Sequence, residues 1–158
     1  QPKTPVEFDL GFNVHVGKKW PNKAWPLENW KRLEALLGGR HSITHQRCLN
    51  DLYGYMDWIH SCRLLVSNDS LGIHLALAMG KKLVVLFGPS PSREIDLWGR
   101  GIAILPELQL ECIPCFVGTC AYNGRTCLET IRPKTVVSAI DQLLWMDQAQ
   151  GDAAAAIA

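Results

Sequence analysis

Apolar residues follow two different spacings along this chain, and the two spacings alternate. Residues 12–16 alternate apolar and polar side chains, which predicts a strand with one wetter face. Unbroken apolar runs at residues 64–66 and 83–87 predict strands that are buried on both faces, and residues 102–105 form a third candidate. Residues 42–44 are a further, short candidate strand.

Helical periodicity occupies the intervals between these strands. Leu27, Trp30, Leu33 and Leu37 recur at helical spacing, after a proline suited to the first turn and before a glycine pair suited to the end. Comparable patterns predict helices over 52–59, 71–79 and from Pro133 onward. Apolar strands that alternate with helices predict an α/β fold, a Rossmann-like parallel sheet with helices on both faces.

Length and composition indicate one globular domain. The chain has 158 residues, 47% hydrophobic and 20% charged, and a net charge of +1, so no general field attracts nucleic acid or an anionic membrane. No apolar run is long enough to be a transmembrane segment. We expect residues 1–150 to form the domain and 151–158 a disordered tail. Since the chain begins at Gln1 and ends in an alanine run, we expect it to be a fragment of a longer protein.

Polar residues interrupt the apolar pattern at one junction, where Asn68, Asp69 and Ser70 separate a predicted buried strand from a predicted helix. Ligands of open α/β sheets bind at such carboxyl ends, and a helix N-terminus offers unpaired N–H groups to a phosphate. Ser70 adds a hydroxyl donor, Asp69 can accept from a sugar hydroxyl or a backbone amide, and His74 lies one turn further on the same side. The alternative is a capping residue followed by a packed or solvated histidine.

The loop after the first predicted strand contains Lys18, Lys19 and Lys23 and should reach the same edge of the sheet. A lysine there can neutralise a diphosphate as a mobile charge. The alternative is a solvated surface charge, which we favour for Lys18 and Lys19, and we expect the loop itself to be solvated. No G-x-G-x-x-G follows the first strand, which argues against a dinucleotide-binding domain.

Four of the six cysteines cluster within residues 112–127. Cys112, Cys115, Cys120 and Cys127 could hold a structural, tetrahedral zinc ion, although the second pair has unusual spacing. Unligated thiols, or disulfides formed on purification, are the alternatives. A thiolate-saturated metal has no open position, so we assign it no catalytic role.

Three stretches together resemble glycosyltransferase family 9, the ADP-heptose:lipopolysaccharide heptosyltransferases and their relatives. They are WPNKAWPLENW at 20–30, VSNDSLGIHLALAMGKKLVVLFGPS at 66–90 and CIPCFVGTCAYNGRTCLETIRPKTV at 112–136. The resemblance implies the C-terminal, donor-binding half of a GT-B fold. It implies that Lys23 binds a diphosphate and that the donor-binding motif spans Asp69, Ser70, Leu71, Gly72 and His74. Leu71 stands where the family usually has glycine.

The resemblance also implies an activity for the full-length protein: inverting transfer from a nucleotide diphosphate sugar, such as ADP-heptose, to a lipopolysaccharide or related glycan acceptor. The N-terminal domain of the family supplies the catalytic carboxylate and contacts the lipid-linked acceptor, so we expect no catalytic residue in this fragment and no activity from it alone. Catalysis is expected to need no cofactor. The expected location is the cytoplasm, including the periphery of the inner membrane. The alternative function is a non-catalytic nucleotide-sugar-binding or assembly module.

Overall fold

Five parallel strands form one sheet in the part of the chain that the structure describes. The computed structural model describes residues 5–47, 51–108, 110–121 and 127–155, with side chains up to residue 146. The strands are β1 Phe8–Asn13, β2 Ile43–His45, β3 Cys62–Asn68, β4 Lys82–Leu86 and β5 Gly101–Ile104.

Within the described residues, four α-helices cover the sheet: α1 Leu27–Leu37, α2 Leu52–His60, α3 Leu71–Ala78 and α4 Pro133–Ala155. Local sequence explains several of their ends. Asp51 caps α2 by accepting from the N–H groups of Tyr53 and Gly54. Gly38 ends α1 in the left-handed conformation, φ 59°, which glycine adopts without steric cost.

The strand order is β2-β1-β3-β4-β5, and every neighbouring pair is parallel. From β1 the chain continues through α1 to β2 on one side, and from β3 it continues through α3 to β4 on the other side. These two connections therefore cover opposite faces of the sheet. A crevice opens between β1 and β3 at their carboxyl ends, which is the usual ligand site of such sheets.

Each face of the sheet has its own apolar core. On one face, α1 and α4 cover the side chains of Leu64, Val66 and their neighbours. On the other face, α2 and α3 cover Leu65, Val85 and Phe87. Successive residues of β3 therefore enter opposite cores, which confirms the prediction of strands buried on both faces.

Several element boundaries differ from the sequence-based expectation, and β1 differs at both of its ends. The first strand ends at Asn13 rather than at residue 16, because the carbonyl of Val14 accepts from the Asn68 side chain and not from a neighbouring strand. Helix α4 is described as far as Ala155, five residues into the expected tail, in keeping with the high helix propensity of alanine. Residues 156–158 lie outside the described part. Among the described helices, none is long and apolar enough to cross a bilayer.

Candidate functional site

Three loops meet at the carboxyl edge of the sheet, beside the crevice between β1 and β3. One follows β1 and contains Lys23, one is the Asp69–Ser70 step between β3 and α3, and one follows β4 and contains Ser90. Lys23 and Asp69 lie 46 residues apart in sequence and in contact in space. The structure therefore places them at one edge of the sheet, where the sequence predicted them.

The centre of the site is an ion pair. The ammonium of Lys23 lies 2.6 Å from Asp69 Oδ2, and the Ser90 hydroxyl donates to the same carboxylate oxygen. The Lys23 side chain is 19% exposed and that of Asp69 is 9% exposed. The alternative of a solvated surface charge therefore does not describe Lys23, because its ammonium is held between Asp69 and the ring of Trp20, 5.2 Å from the ring centroid.

Ser70 occupies the N-cap position of α3, yet its side chain makes no capping hydrogen bond. Its hydroxyl instead accepts from Asn13 Nδ2 at 2.9 Å, and the same amide donates to Ser67 Oγ at 2.7 Å. The hydroxyl of Tyr55 donates to Asn13 Oδ1 at 2.9 Å, and burial raises the pKa of Tyr55. This network fixes the start of α3 against the end of β1. Because Ser70 has no capping bond to its own helix, the plain capping alternative does not describe it.

Gly72 belongs to the support of this network rather than to the wall of the crevice. A Cβ at residue 72 would overlap the Tyr55 hydroxyl and the Asn13 amide, so any larger residue there must displace this hydrogen-bond network. Leu71, by contrast, is 56% exposed and lines the crevice. Of these two neighbouring residues predicted to bind the donor, Leu71 is exposed to the crevice and Gly72 is buried.

Asn68 positions the loop that contains Lys23, a role that the sequence analysis did not assign. Its Oδ1 accepts from the backbone N–H of Trp25 at 3.0 Å, and its Nδ2 donates to the carbonyl of Val14 at 2.7 Å. One fully buried side chain therefore ties both ends of the loop to the end of β3. The only signal in the sequence was an asparagine at the end of an apolar strand, where an unpaired amide would be costly.

The Lys23–Asp69 pair stands between two adjoining cavities. The larger, about 760 Å³, extends past Ser70 toward Gln46 at the end of β2. The smaller, about 340 Å³, extends past Ser90 toward Phe116. Four residues line both cavities: Trp20, Lys23, Asp69 and His74. His74 is exposed, which excludes the packed-core alternative for this histidine.

The chemistry of this crevice suits an anionic ligand with polar groups on either side. Lys18 and Lys23 contribute positive charge, and the N-terminus of α3 contributes backbone N–H groups and a partial positive charge. The Asp69 carboxylate, which accepts from Lys23 and Ser90, fixes the ammonium in place. A diphosphate over Lys23 would direct its two substituents into the two cavities.

The four clustered cysteines line a separate cavity of about 440 Å³ on the far side of the 88–90 loop. Burial, with the neighbouring thiols Cys115, Cys120 and Cys112 adding to it, raises the pKa of Cys127 to about 11. The cavity is otherwise lined mostly by apolar side chains such as Leu108, Leu110 and Ile113. The sequence-predicted cluster is thus brought together around one space.

This donor set fits a sulfur-ligated structural metal in number and type. The buried Oδ1 of Asn22, on the wall of the same cavity, has no hydrogen-bond partner among the described residues. Across residues 5–47, 51–108, 110–121 and 127–146, however, no three His, Cys, Asp or Glu side chains stand in ligating geometry. A metal at this position remains a proposal, and it would cross-link the loop without entering the crevice.

Sequence comparison finds a family and two curated relatives. The model of glycosyltransferase family 9 (heptosyltransferase) matches residues 50–125, a range that contains the Asp69–His74 segment. The proteins named lipooligosaccharide heptosyltransferase 2 from Campylobacter jejuni serotypes O:2 and O:6 are each 32% identical, over 83 and 82 residues. Each match covers 52% of this chain and 26% of the relative.

Structural comparison finds the same fold in solved glycosyltransferases. Escherichia coli ADP-heptose lipopolysaccharide heptosyltransferase II superposes with a TM-score of 0.67 at 21% identity, covering 90% of this chain and 48% of that one. The iron-containing dodecameric glycosyltransferase TibC from enterotoxigenic E. coli gives 0.69 at 13% identity, with 92% and 47% covered. E. coli heptosyltransferase WaaC, solved with ADP, gives 0.63 at 16% identity, with 89% and 46% covered. The chain therefore spans just under half the length of these structures and has the Rossmann-like fold found in them.

Proposed function

We propose that this chain, which is similar to the heptosyltransferases of glycosyltransferase family 9, belongs to that family and binds the nucleotide-sugar donor of a glycosyl transfer. The observation that supports this most directly is the ammonium of Lys23, held by Asp69 beside the N-terminus of α3. That position lies at the switch point of a parallel sheet, between two cavities that together can take a nucleoside and a sugar. The donor we favour is ADP-heptose or a closely similar nucleotide sugar, since solved neighbours include complexes with ADP and an ADP-heptose.

The reaction we propose is inverting transfer to a hydroxyl of a lipopolysaccharide or related glycan acceptor. The acceptor oxygen attacks the anomeric carbon as the bond to the diphosphate breaks, and the acceptor proton passes to a carboxylate. Lys23 and the α3 N-terminus stabilise the negative charge that develops on the leaving diphosphate. The carboxylate and the acceptor-binding surface belong, in this proposal, to a part of the protein outside the 158 residues. We place the reaction on the cytoplasmic side, with peripheral membrane contact through a lipid-linked acceptor.

Donor binding is tested by calorimetry of the chain with ADP, UDP, GDP and their sugars. We expect binding of the adenine nucleotides, and we expect Lys23→Ala to weaken ADP binding by about 1.5–3 kcal/mol, the range for a charge-assisted hydrogen bond. Lys19→Ala is the matched control, since Lys19 is exposed in the same loop and lines neither cavity. If the Lys23 and Lys19 variants bind ADP equally well, the donor site has been misplaced.

Transfer is tested separately from binding. We expect the 158-residue chain to bind ADP yet to transfer no sugar from ADP-heptose to an acceptor glycan, because the proposed base lies outside it. In the full-length enzyme, Lys23→Ala should lower turnover more than it raises the donor KM, since the leaving-group charge is greatest in the transition state. Turnover by the 158 residues alone would contradict the proposed division of roles. A full-length protein that binds donor and transfers nothing would support the non-catalytic module.

A further inference from the structure

The cysteine-rich segment touches the donor site at three consecutive residues. The backbone N–H of Phe116 donates to the carbonyl of Pro89 at 2.9 Å, next to the Ser90 that contacts Asp69. The carbonyl of Val117 accepts from the side chain of Asn22, next to Lys23. A Cβ at Gly118 would lie 2.6 Å from the carbonyl oxygen of Lys19, so the two backbones are in direct contact there. Residues 116–118 thus rest on both loops that bring polar groups to Asp69.

Phe116 has a backbone conformation that is unusual for a residue with a side chain. Its φ is 52°, in the left-handed region that residues with a side chain rarely adopt. The residue is nevertheless 53% exposed and lines the smaller of the two cavities. Packing of the ring in a core therefore does not compensate for the backbone conformation, and what distinguishes Phe116 is its place on the wall of the smaller cavity.

The two cavities differ in the part of a nucleotide sugar that each can take. A nucleotide sugar has its diphosphate in the middle, and in the proposed function that group lies over Lys23. The nucleoside and the sugar must then lie in opposite cavities. The nucleoside is the larger group and matches the cavity of about 760 Å³, and a single sugar ring matches the cavity of about 340 Å³. The carboxylates of Asp69 and Glu94 on that smaller cavity can accept from sugar hydroxyls.

We propose that residues 116–118 complete the sugar half of the donor site, with the ring of Phe116 as a wall that favours a sugar-bearing nucleotide over the free nucleotide. The inference rests on the proposed function and adds a specificity-determining residue to it. An aromatic ring covers the apolar face of a sugar, and water is excluded from between them. The free nucleotide has no group in this cavity and makes no contact with the ring.

The test compares ADP and ADP-D-β-D-heptose in calorimetric titrations of the chain and its variants. Phe116→Gly removes the ring and suits the left-handed backbone, so the melting temperature should stay the same or rise. We expect this variant to lose about tenfold in affinity for ADP-D-β-D-heptose, which is 1.4 kcal/mol, and less than about twofold for ADP. Phe116→Ala should give the same selective loss, because it too lacks the ring.

Trp98→Gly is the matched control, since Trp98 is also an exposed aromatic with positive φ, 53°, and lines neither cavity. It should leave both affinities unchanged. An equal loss for both ligands in Phe116→Gly, or no loss for either, overturns the inference. If Lys23→Ala still weakens ADP binding in that case, the proposed function stands and only the role of Phe116 falls. If Lys23→Ala is also without effect, the donor site itself is wrong.

Discussion

Lys23 and Asp69 form an ion pair whose two members have different access to solvent. The ammonium of Lys23 is 2.6 Å from Asp69 Oδ2, and the carboxylate is the more deeply buried partner. The neutral Ser90 hydroxyl donates to the same carboxylate oxygen. Lys23 therefore has two roles, as the counter-ion of a buried carboxylate and as the charge presented to the crevice.

The first prediction separates these two roles by stability. Lys23→Ala should lower the free energy of unfolding by about 2–3 kcal/mol, because it leaves Asp69 buried without its counter-ion. Adding Asp69→Asn should restore most of this loss, since the amide is neutral and can still contact Ser90. Urea unfolding of both single variants and the double variant measures the coupling. If Lys23→Ala is as stable as wild type, the pair contributes nothing to the fold and the lysine is there for the ligand alone.

The second prediction concerns His74, which is exposed at the boundary of both cavities. His74→Ala should weaken binding of ADP-heptose by about tenfold, the loss of one good hydrogen bond to a charged group. Its free energy of unfolding should change by less than about 0.5 kcal/mol, as at other exposed positions. His45→Ala, another exposed histidine but outside the crevice, is the control for binding. If His74→Ala greatly lowers the free energy of unfolding and leaves ADP-heptose binding unchanged, His74 has a structural role and not a binding role.

The third prediction concerns Asn68, which connects the two ends of the Lys23 loop to β3. Asn68→Ala leaves the N–H of Trp25 and the carbonyl of Val14 without their buried partner, so the free energy of unfolding should fall by about 2–4 kcal/mol. ADP affinity should fall as well, because Lys23 is no longer held over the crevice. Asn29→Ala, a change in the first turn of α1 outside the crevice, should alter neither quantity by a comparable amount. Unchanged ADP affinity at matched folding would show that the loop holds its position without Asn68.

The contacts of Asn68 are an example of what the amino-acid sequence did not predict. The spacing of apolar residues predicted α1, α2, α3, β3, β4 and the parallel sheet, because periodicity reports which face of an element is buried. The convergence of Lys23 with Asp69 followed from topology, since both come after strands of one parallel sheet. The partners of individual polar side chains did not follow. The hydrogen bond from Asn68 to the carbonyl of Val14 is the reason that β1 ends three residues before the predicted end. The two residues are 54 positions apart in sequence, so no local sequence pattern predicts their contact.

The hydrogen bonds that hold Ser70 in place could not be predicted from the sequence for the same reason. Asn13 lies at the end of β1 and Tyr55 in α2, and the sequence gives no sign that both meet under the start of α3. The family resemblance predicted Gly72 as part of the donor-binding motif, which stays a prediction, and the structure shows a separate constraint, since a side chain there would displace Tyr55. Such packing constraints become visible only when the helices are in place on the sheet.

A fourth prediction uses pH to test the contact between β1 and its neighbours. Burial by itself raises the pKa of Asp9, but the hydrogen bonds from Ser42 and the guanidinium of Arg63 together outweigh that effect and lower this pKa. The ionised carboxylate is thus favoured in the folded state, so its stabilisation is complete above the ordinary value of 3.8 and is lost as pH falls through the lower folded value. Asp9→Asn should destabilise the protein at pH 7, and the difference from wild type should shrink toward pH 3. A difference that is constant between these two pH values would contradict this assignment.

The final prediction concerns the four thiols that line one cavity. If they hold a structural metal, protein purified without affinity metal should contain about one zinc or iron per chain by elemental analysis. Cys112→Ser should lose most of the metal, and chelation should lower the melting temperature of wild type but not of this variant. Cys62→Ser is the control, because Cys62 is buried against β1, away from the cavity, and its loss should leave the metal in place. Less than about a tenth of a metal ion per chain, together with four titratable thiols, would show that the cluster is unligated. In that case residues 116–118 are held against the donor loops by the Phe116–Pro89 and Asn22–Val117 hydrogen bonds without a metal cross-link.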